Sequence, residues 1–334
     1  MKGHLNLLAI ALVTTTLAAC GGGASSGDSA SSPTPPTPPA PDVPKGSSGD
    51  SGTLDTASYT GEKLAIFNAI NEARAKAGLA PIKQNTKLDK AAQGHAGYIH
   101  LNGEGESHYQ TESKPGFTGV DHLARAKAAL YSPVSTTVGE GIIYQSVEAT
   151  DPAGAVEGLL NTVYHRVELL SAASVDVGIG IDTYEQRVPG YESWHGKATI
   201  INYGLISTAR SLENESGYWV WPYDGAVKLA VTYGENPNPA PDLERLGYPL
   251  SLTVNANDTI TVDTFTVNCA GQDLPARIIT TANDIHQMID ASWVFLQPEV
   301  ALPYDTTCVA AFAGSSEKLG HIKHTWSFKT TQQP

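Results

Sequence analysis

Basic residues are scarce in this chain. Its 334 residues hold 21 Lys+Arg against 34 Asp+Glu, a formal net charge of -13. No local basic stripe interrupts that balance, so a phosphate backbone would be repelled and nucleic-acid binding is excluded. Cysteine is almost absent as well, with Cys20, Cys269 and Cys308 as the three representatives. Long apolar runs are missing apart from Leu5 to Leu17, which is too short to serve comfortably as a permanent membrane span. A positioned Ser or Cys nucleophile is also lacking. Gly23–Gly27 and Gly49–Gly52 imitate serine-hydrolase strings, but neither has a strand before it or a helix after it, and Gly/Ser-rich sequence produces such strings by chance.

The N-terminus reads as an export signal over residues 1–20, with Lys2 and His4 as the basic start and Leu5 to Leu17 as the apolar core. Leu17-Ala18-Ala19-Cys20 resembles the bacterial lipobox, which implies acylation of Cys20 and a membrane anchor. An ordinary cleaved signal with an incidental cysteine stays open. The resemblance places the protein in the cell envelope, at an outer membrane or cell surface, because Gly21 gives no reason for inner-membrane retention. Residues 21–58 are Gly, Ser, Pro and Asp with almost nothing apolar, and are expected to form a disordered tether. Cys269 and Cys308 lie on the exported side, where disulfides persist. Joined, they would close a loop of about forty residues, worth roughly 4 kcal/mol in the chain-entropy treatment. Two buried thiols are the alternative.

Apolar periodicity begins near Thr60. Leu64, Phe67, Ile70, Ala73 and Ala77 mark one helical face, closed by Gly78. Thr86 with Asp89 three residues on resembles a capping box opening a second helix, whose face is Leu88, Ala91, Ala92, His95 and Ile99. A third helix is expected over Val120 to Leu130. A fourth starts with Asp151 as cap and Pro152 at its first position. Strand-like runs cover Ile142 to Tyr144, Val175 to Ile181 and Ala198 to Tyr203. From 248 onward, short alternating runs separated by Gly, Asn, Asp and Pro predict an antiparallel sandwich. The expected class is α+β. Its divisions are residues 59–206, a connecting segment 207–247, and an all-β sandwich over 248–334.

His108, Gly139-Glu140 and His165-Arg166 stand at the edges of apolar segments of the first division. Two imidazoles and a carboxylate suit a divalent-metal site or an acid/base centre. The same three residues could equally brace a cleft through hydrogen bonds alone. Asn71–Arg74 with Gly78–Ile82, Leu88 to Tyr98, Ser107-His108, Val138–Ile142, Val163–Leu170 and Val177–Gly180 follow one another in a familiar order. Together they resemble the CAP superfamily (cysteine-rich secretory proteins, antigen 5, pathogenesis-related 1) over residues 60–206.

That resemblance implies an α-β-α sandwich with a cleft lined by His108, Glu140 and His165. Many members carry a second Glu just before the later histidine, where this chain has Asn161-Thr162. The usual G-E-N is Gly139-Glu140-Gly141, the usual Trp of the fourth helix is Leu159, and Glu168 stands one turn beyond His165 where Asn is common. His108, His165 and Glu140 are therefore the expected ligands of a divalent cation, with Zn²⁺ the best match to their chemistry. Glu140 would be either a ligand or the orienter of one imidazole. Two alternatives remain: metal-assisted, peptidase-like hydrolysis with Glu140 as the candidate base, and a surface adhesion or spacer module whose cleft holds a lipid, glycan or protein ligand. For the last division, Tyr304–Val309 and the ending Trp326–Thr330 resemble bacterial Ig-like domains, which usually space or bind.

Overall fold

The computed structural model describes residues 58–103, 107–131, 137–186, 194–206 and 217–333. The export signal, Cys20 and all but the last residue of the tether expected over 21–58 lie outside the described residues. Among those described, no helix is long and apolar enough to cross a membrane.

The first half is built from α1 (Gly61–Lys76), β1 (Lys83–Gln84), α2 (Thr86–Asn102), α3 (His122–Ala128), β2 (Thr137–Ser146), α4 (Pro152–Leu160), α5 (Tyr164–Leu169), β3 (Ser174–Gln186) and β4 (Trp194–Leu205). Its four-stranded sheet has the order β1-β3-β4-β2, antiparallel except for the β1/β3 pair. Strand alternation divides the sheet's side chains between two layers. Ala198 and Ile200 join the α2 residues Ala92, Ala96 and Ile99 on one face. Val177, Ile179, Ile201 and Tyr203 cluster with residues of α1, α4 and α5 on the other. The α-β-α layering is therefore present.

Two glycines set the depth of the α2 layer. A Cβ on Gly178 would lie 2.1 Å from the backbone carbon of Leu88, and one on Gly180 would lie 2.3 Å from that of Ala92. The β3 pattern Val177-Gly178-Ile179-Gly180 thus lets helix backbone rest directly on the strand while Val177 and Ile179 fill the opposite side.

Helix ends mostly follow the expected chemistry. Gly78 takes φ +80° just past α1, and Asp151 accepts from the Gly154 N–H with Pro152 opening α4. Two details differ. Asn85, not Thr86, caps α2 by accepting from Lys87 N–H, which frees Asp89 to accept from Tyr59, Gln84 and the Ile179 N–H. Leu64 is 37 % exposed, because Ile66, Phe67 and Ile70 already fill the inward face of α1.

The second half contains β5 (Tyr218–Trp221), β6 (Ala226–Leu229), β7 (Thr232–Tyr233), β8 (Leu246–Gly247), β9 (Leu250–Val254), β10 (Ile260–Cys269), β11 (Gln272–Asp273), β12 (Ala276–Ile279), β13 (Trp293–Pro298), β14 (Thr307–Ser316) and β15 (Gly320–Thr330). They form a β-sandwich of two sheets, β11-β10-β14-β15-β6 and β12-β13-β9-β5, with β7 and β8 as a separate pair. Here the sequence boundaries need correction. The segment 207–247 is more than a connector, because its β5 pairs with β9 and its β6 runs parallel to β15. Residues 218–229 of that segment therefore join the sandwich, while β7 and β8 pair only with each other.

Cys269 and Cys308 form the expected disulfide. They sit directly opposite on the neighbouring strands β10 and β14, within one sheet. Antibody-type domains instead place their bridge between two sheets. A single hydrophobic cluster runs from Ile66, Ile70 and Leu169 of the first half to Trp221, Tyr248, Leu250 and Phe295 of the second. The described residues from Ser58 onward form one compact unit.

Candidate functional site

β2 is the edge strand of the first sheet, so residues from both faces can meet around its open side. Glu140 points to the face of α2 and α3, and Gly139 faces α5. His108 lies on the segment after α2, and its Nδ1 is 3.0 Å from Glu140 Oε1. Arg125 of α3, itself fully buried, donates from Nη2 to both Glu140 oxygens at 2.7 and 2.6 Å and from Nη1 to the His108 carbonyl at 3.0 Å. With its amide nitrogen facing the carboxylate, Asn202 of β4 donates to Glu140 Oε2 at 2.9 Å and accepts from Ala92 N–H.

Burial alone would raise the Glu140 pKa, but His108, Arg125 and His95 more than offset it and hold the carboxyl below its usual range. Glu140 is thus biased toward its ionised form, with its lone pairs committed to neighbours. That suits an orienter of His108 and makes a poor general base.

His95, expected on the inward face of the second helix, is fully buried. Its Nε2 meets the Ser107 carbonyl at 2.9 Å and its Nδ1 meets the Gln110 amide nitrogen at 3.1 Å. A carbonyl can only accept and an amide N–H₂ can only donate, so His95 is neutral with its proton on Nε2. Desolvation lowers its pKa to about 4, in keeping with that state. The Gln110 oxygen then accepts from Thr118 N–H, which closes the loop that presents His108.

His165 is not bonded to Glu140. Its Nδ1 lies 3.2 Å from Glu235 Oε1 and 3.3 Å from Thr162 Oγ1. Glu168, one turn further along α5, receives the Glu140 backbone N–H. A Cβ on residue 139 would lie 2.2 Å from the Glu168 carboxyl carbon, so the Gly of Gly139-Glu140 makes room for that carboxyl. Burial pushes Glu168 up to about 7, against the opposing influence of His165 and His108, both near enough to favour its charge. Gly141, where the family pattern has Asn, faces Leu159 and Tyr203. Two of the departures from the family pattern, Gly141 and Leu159, are thus neighbours in space, and a Cβ at 141 would lie 3.2 Å from Leu159 Cδ1.

The structure therefore brings His108 and Glu140 into contact, gives His165 a different carboxylate, and sets Glu168 near both imidazoles. Among the described residues, no group of three or more His, Cys, Asp or Glu side chains is arranged to hold a metal ion. Arg125, Asn202 and Glu235 were missed in the sequence. A buried Glu does demand a cation, but nothing local says which of 21 Lys+Arg supplies it. Arg74 and Arg166 are structural, donating to backbone carbonyls of Ala80, Leu169 and Ser171, and of Leu160 and Pro249, respectively.

A cavity of about 350 Å³ between α1, α4 and β6 contains none of these residues. Its aromatic wall is packed rather than open, with Trp221 6 % exposed, and its Lys76 is engaged with Glu72 at 2.7 Å.

No curated protein matches the chain. Among solved structures, an outer surface protein from Borrelia burgdorferi is 17 % identical, with 43 % of this chain and 92 % of that one covered at a TM-score of 0.30. CopC from Methylosinus trichosporium is 9 % identical (34 % and 91 % covered, TM-score 0.23). The copper resistance protein PcoC from Escherichia coli is 11 % identical (34 % and 95 % covered, TM-score 0.22). Residues 67–191 match the family model of the cysteine-rich secretory protein family, CAP. The chain carries a CAP domain, joined to a β-sandwich.

Proposed function

We propose that this is an exported, lipid-anchored envelope protein whose CAP cleft binds a ligand through the Nε2 atoms of His108 and His165, with a divalent cation as the ligand class that fits the donors. One observation carries this reading. Each imidazole has its Nδ1 held by a carboxylate whose side chain is fully buried, His108 by Glu140 at 3.0 Å and His165 by Glu235 at 3.2 Å. Carboxylate–histidine pairing of that kind fixes the tautomer, raises the basicity of the opposite nitrogen, and accompanies imidazoles that act as ligands.

The fit is one of donor chemistry rather than of a complete cage. Since no three-residue cluster is gathered among the described residues, a cation held by the two imidazoles would keep positions for water or for a bound molecule. Bound there, it would supply Lewis acidity. Hydrolysis with Glu140 as base has less support, because Arg125 and His108 already engage its oxygens. Export is supported by the Cys269–Cys308 disulfide, and anchoring by the lipobox resemblance at Cys20.

Metal-stripped protein titrated with Zn²⁺ is expected to bind at one site. The His108→Ala/His165→Ala double variant should lose that binding at least tenfold. Equal affinity in the two proteins would reject the reading.

A further inference from the structure

The helix that carries His165 has little of its own to hold it. α5 is six residues long, and its N-cap residue, Val163, has no side chain that can accept a hydrogen bond. Its first N–H groups need acceptors from elsewhere, and a helix of this length does not persist alone.

The second half of the chain supplies what is missing. Glu235, between β7 and β8, accepts from the backbone N–H groups of Val163 at 2.9 Å and Tyr164 at 2.7 Å, and it reaches His165 Nδ1 with the same carboxylate. The Tyr164 hydroxyl donates to Asp284 at 2.6 Å. Arg166 donates to the Pro249 carbonyl at 2.9 Å and to Ser251 Oγ at 3.2 Å, with its guanidinium 5.4 Å from the Tyr248 ring centroid. Three consecutive residues of α5 are thus each fixed by a group that follows residue 217.

At His165 this also settles where the proton sits. Nδ1 has two neighbours, the Glu235 carboxylate and Thr162 Oγ1. Both Glu235 oxygens already accept backbone N–H groups, and Oε1 faces Nδ1 as an acceptor. Thr162 has already given its proton to the Leu159 carbonyl at 2.7 Å, so it too can only accept. A lone pair on Nδ1 would face two acceptors. The proton therefore belongs on Nδ1, and the lone pair on Nε2.

We infer that Glu235 is a positioning residue of the CAP cleft, contributed by the sandwich half of the chain, and that it locks His165 in the Nδ1–H tautomer so that Nε2 is the free donor. This rests on the proposed reading only for what Nε2 meets. The tautomer and its cause stand apart from it. The sandwich then acts as a working part of the cleft and not as a spacer, and it makes the cleft sensitive to how the two halves dock.

The test uses purified full-length protein labelled with ¹⁵N-histidine and free of metal, with long-range ¹H–¹⁵N spectra reading each imidazole's tautomer. His165→Gln and His108→Gln variants assign the two signals. Wild type is expected to show Nδ1–H at both histidines. Glu235→Ala should move His165 toward Nε2–H while His108, still paired with Glu140, stays unchanged. Glu235→Gln can keep an oxygen facing Nδ1, and should retain the wild-type tautomer. Zn²⁺, used as the probe, should bind Glu235→Ala at least tenfold more weakly than wild type.

An Nε2–H tautomer at His165 in wild type would overturn the inference, and so would a His165 signal indifferent to Glu235→Ala. The wild-type spectrum decides the matter even if the Ala variant does not fold. A wild type that binds no Zn²⁺ would end the cation reading while leaving the tautomer result to judge Glu235.

Discussion

At the scale of single residues, the site is a set of carboxylates with different duties. Glu140 is charged and spoken for, Glu235 is buried beneath an imidazole, and Glu168 is pushed up to about 7 by burial. Glu168 has a consequence for stability. Its unfolded-state pKa is near the ordinary 4.5, so below that pH both states are protonated and the group contributes nothing. Between about 4.5 and 7 the unfolded chain releases the proton while the folded one keeps it, so stability falls as pH rises. Above 7 both are ionised and the loss is constant, on the order of 3 kcal/mol at most. Glu168→Gln removes this term. Urea unfolding at a series of pH values should show the variant gaining on wild type between pH 4.5 and 7, and level outside that window. A difference that does not change with pH would contradict the assignment.

At the scale of elements, glycine placement decides how closely layers approach. Gly178→Ala would drive a methyl group into the backbone of α2 at Leu88, where no rotamer change relieves it. Overpacking of this kind costs about 1–3 kcal/mol or more. Gly158 in α4 has nothing within 4 Å of its Cβ position and no positive φ. Gly158→Ala should therefore stabilise by about 0.5–1 kcal/mol through helix propensity and a less free unfolded chain. Chemical denaturation of the two variants should give shifts of opposite sign, and shifts of the same sign would refute the layer argument. The Val-Gly-Ile-Gly pattern of β3 was readable as a family motif. Its cause, a helix lying on the strand, was readable only once α2 had been placed against it.

At the scale of the whole molecule, the CAP domain and the sandwich share one hydrophobic cluster, and the hydrogen bonds of α5 cross between them. Two halves joined in this way should unfold together. Calorimetry on the disulfide-intact protein should show one transition with equal calorimetric and van't Hoff enthalpies. Two resolved transitions would mean that the shared cluster contributes little and that the halves are separate cooperative units.

Local sequence determined the parts that depend on neighbours in the chain. Periodicity placed α1, α2 and the strands from Leu250 onward, Asp151-Pro152 announced α4, and the ordered motifs from Asn71 to Gly180 pointed to the CAP domain. Those signals are local because helix faces, caps and strand alternation are set within a few residues. Tertiary structure alone decided the partners. That Glu140 pairs with Arg125, that Asn85 and not Thr86 caps α2, and that 218–229 joins the sandwich are all matters of which distant groups meet. The clearest case is His165. The sequence marked it as a cleft residue, while its orienting carboxylate lies 70 positions away in a segment that carried no motif. A buried imidazole or carboxylate must find a partner, but the requirement fixes only the partner's chemistry and leaves its address to the fold.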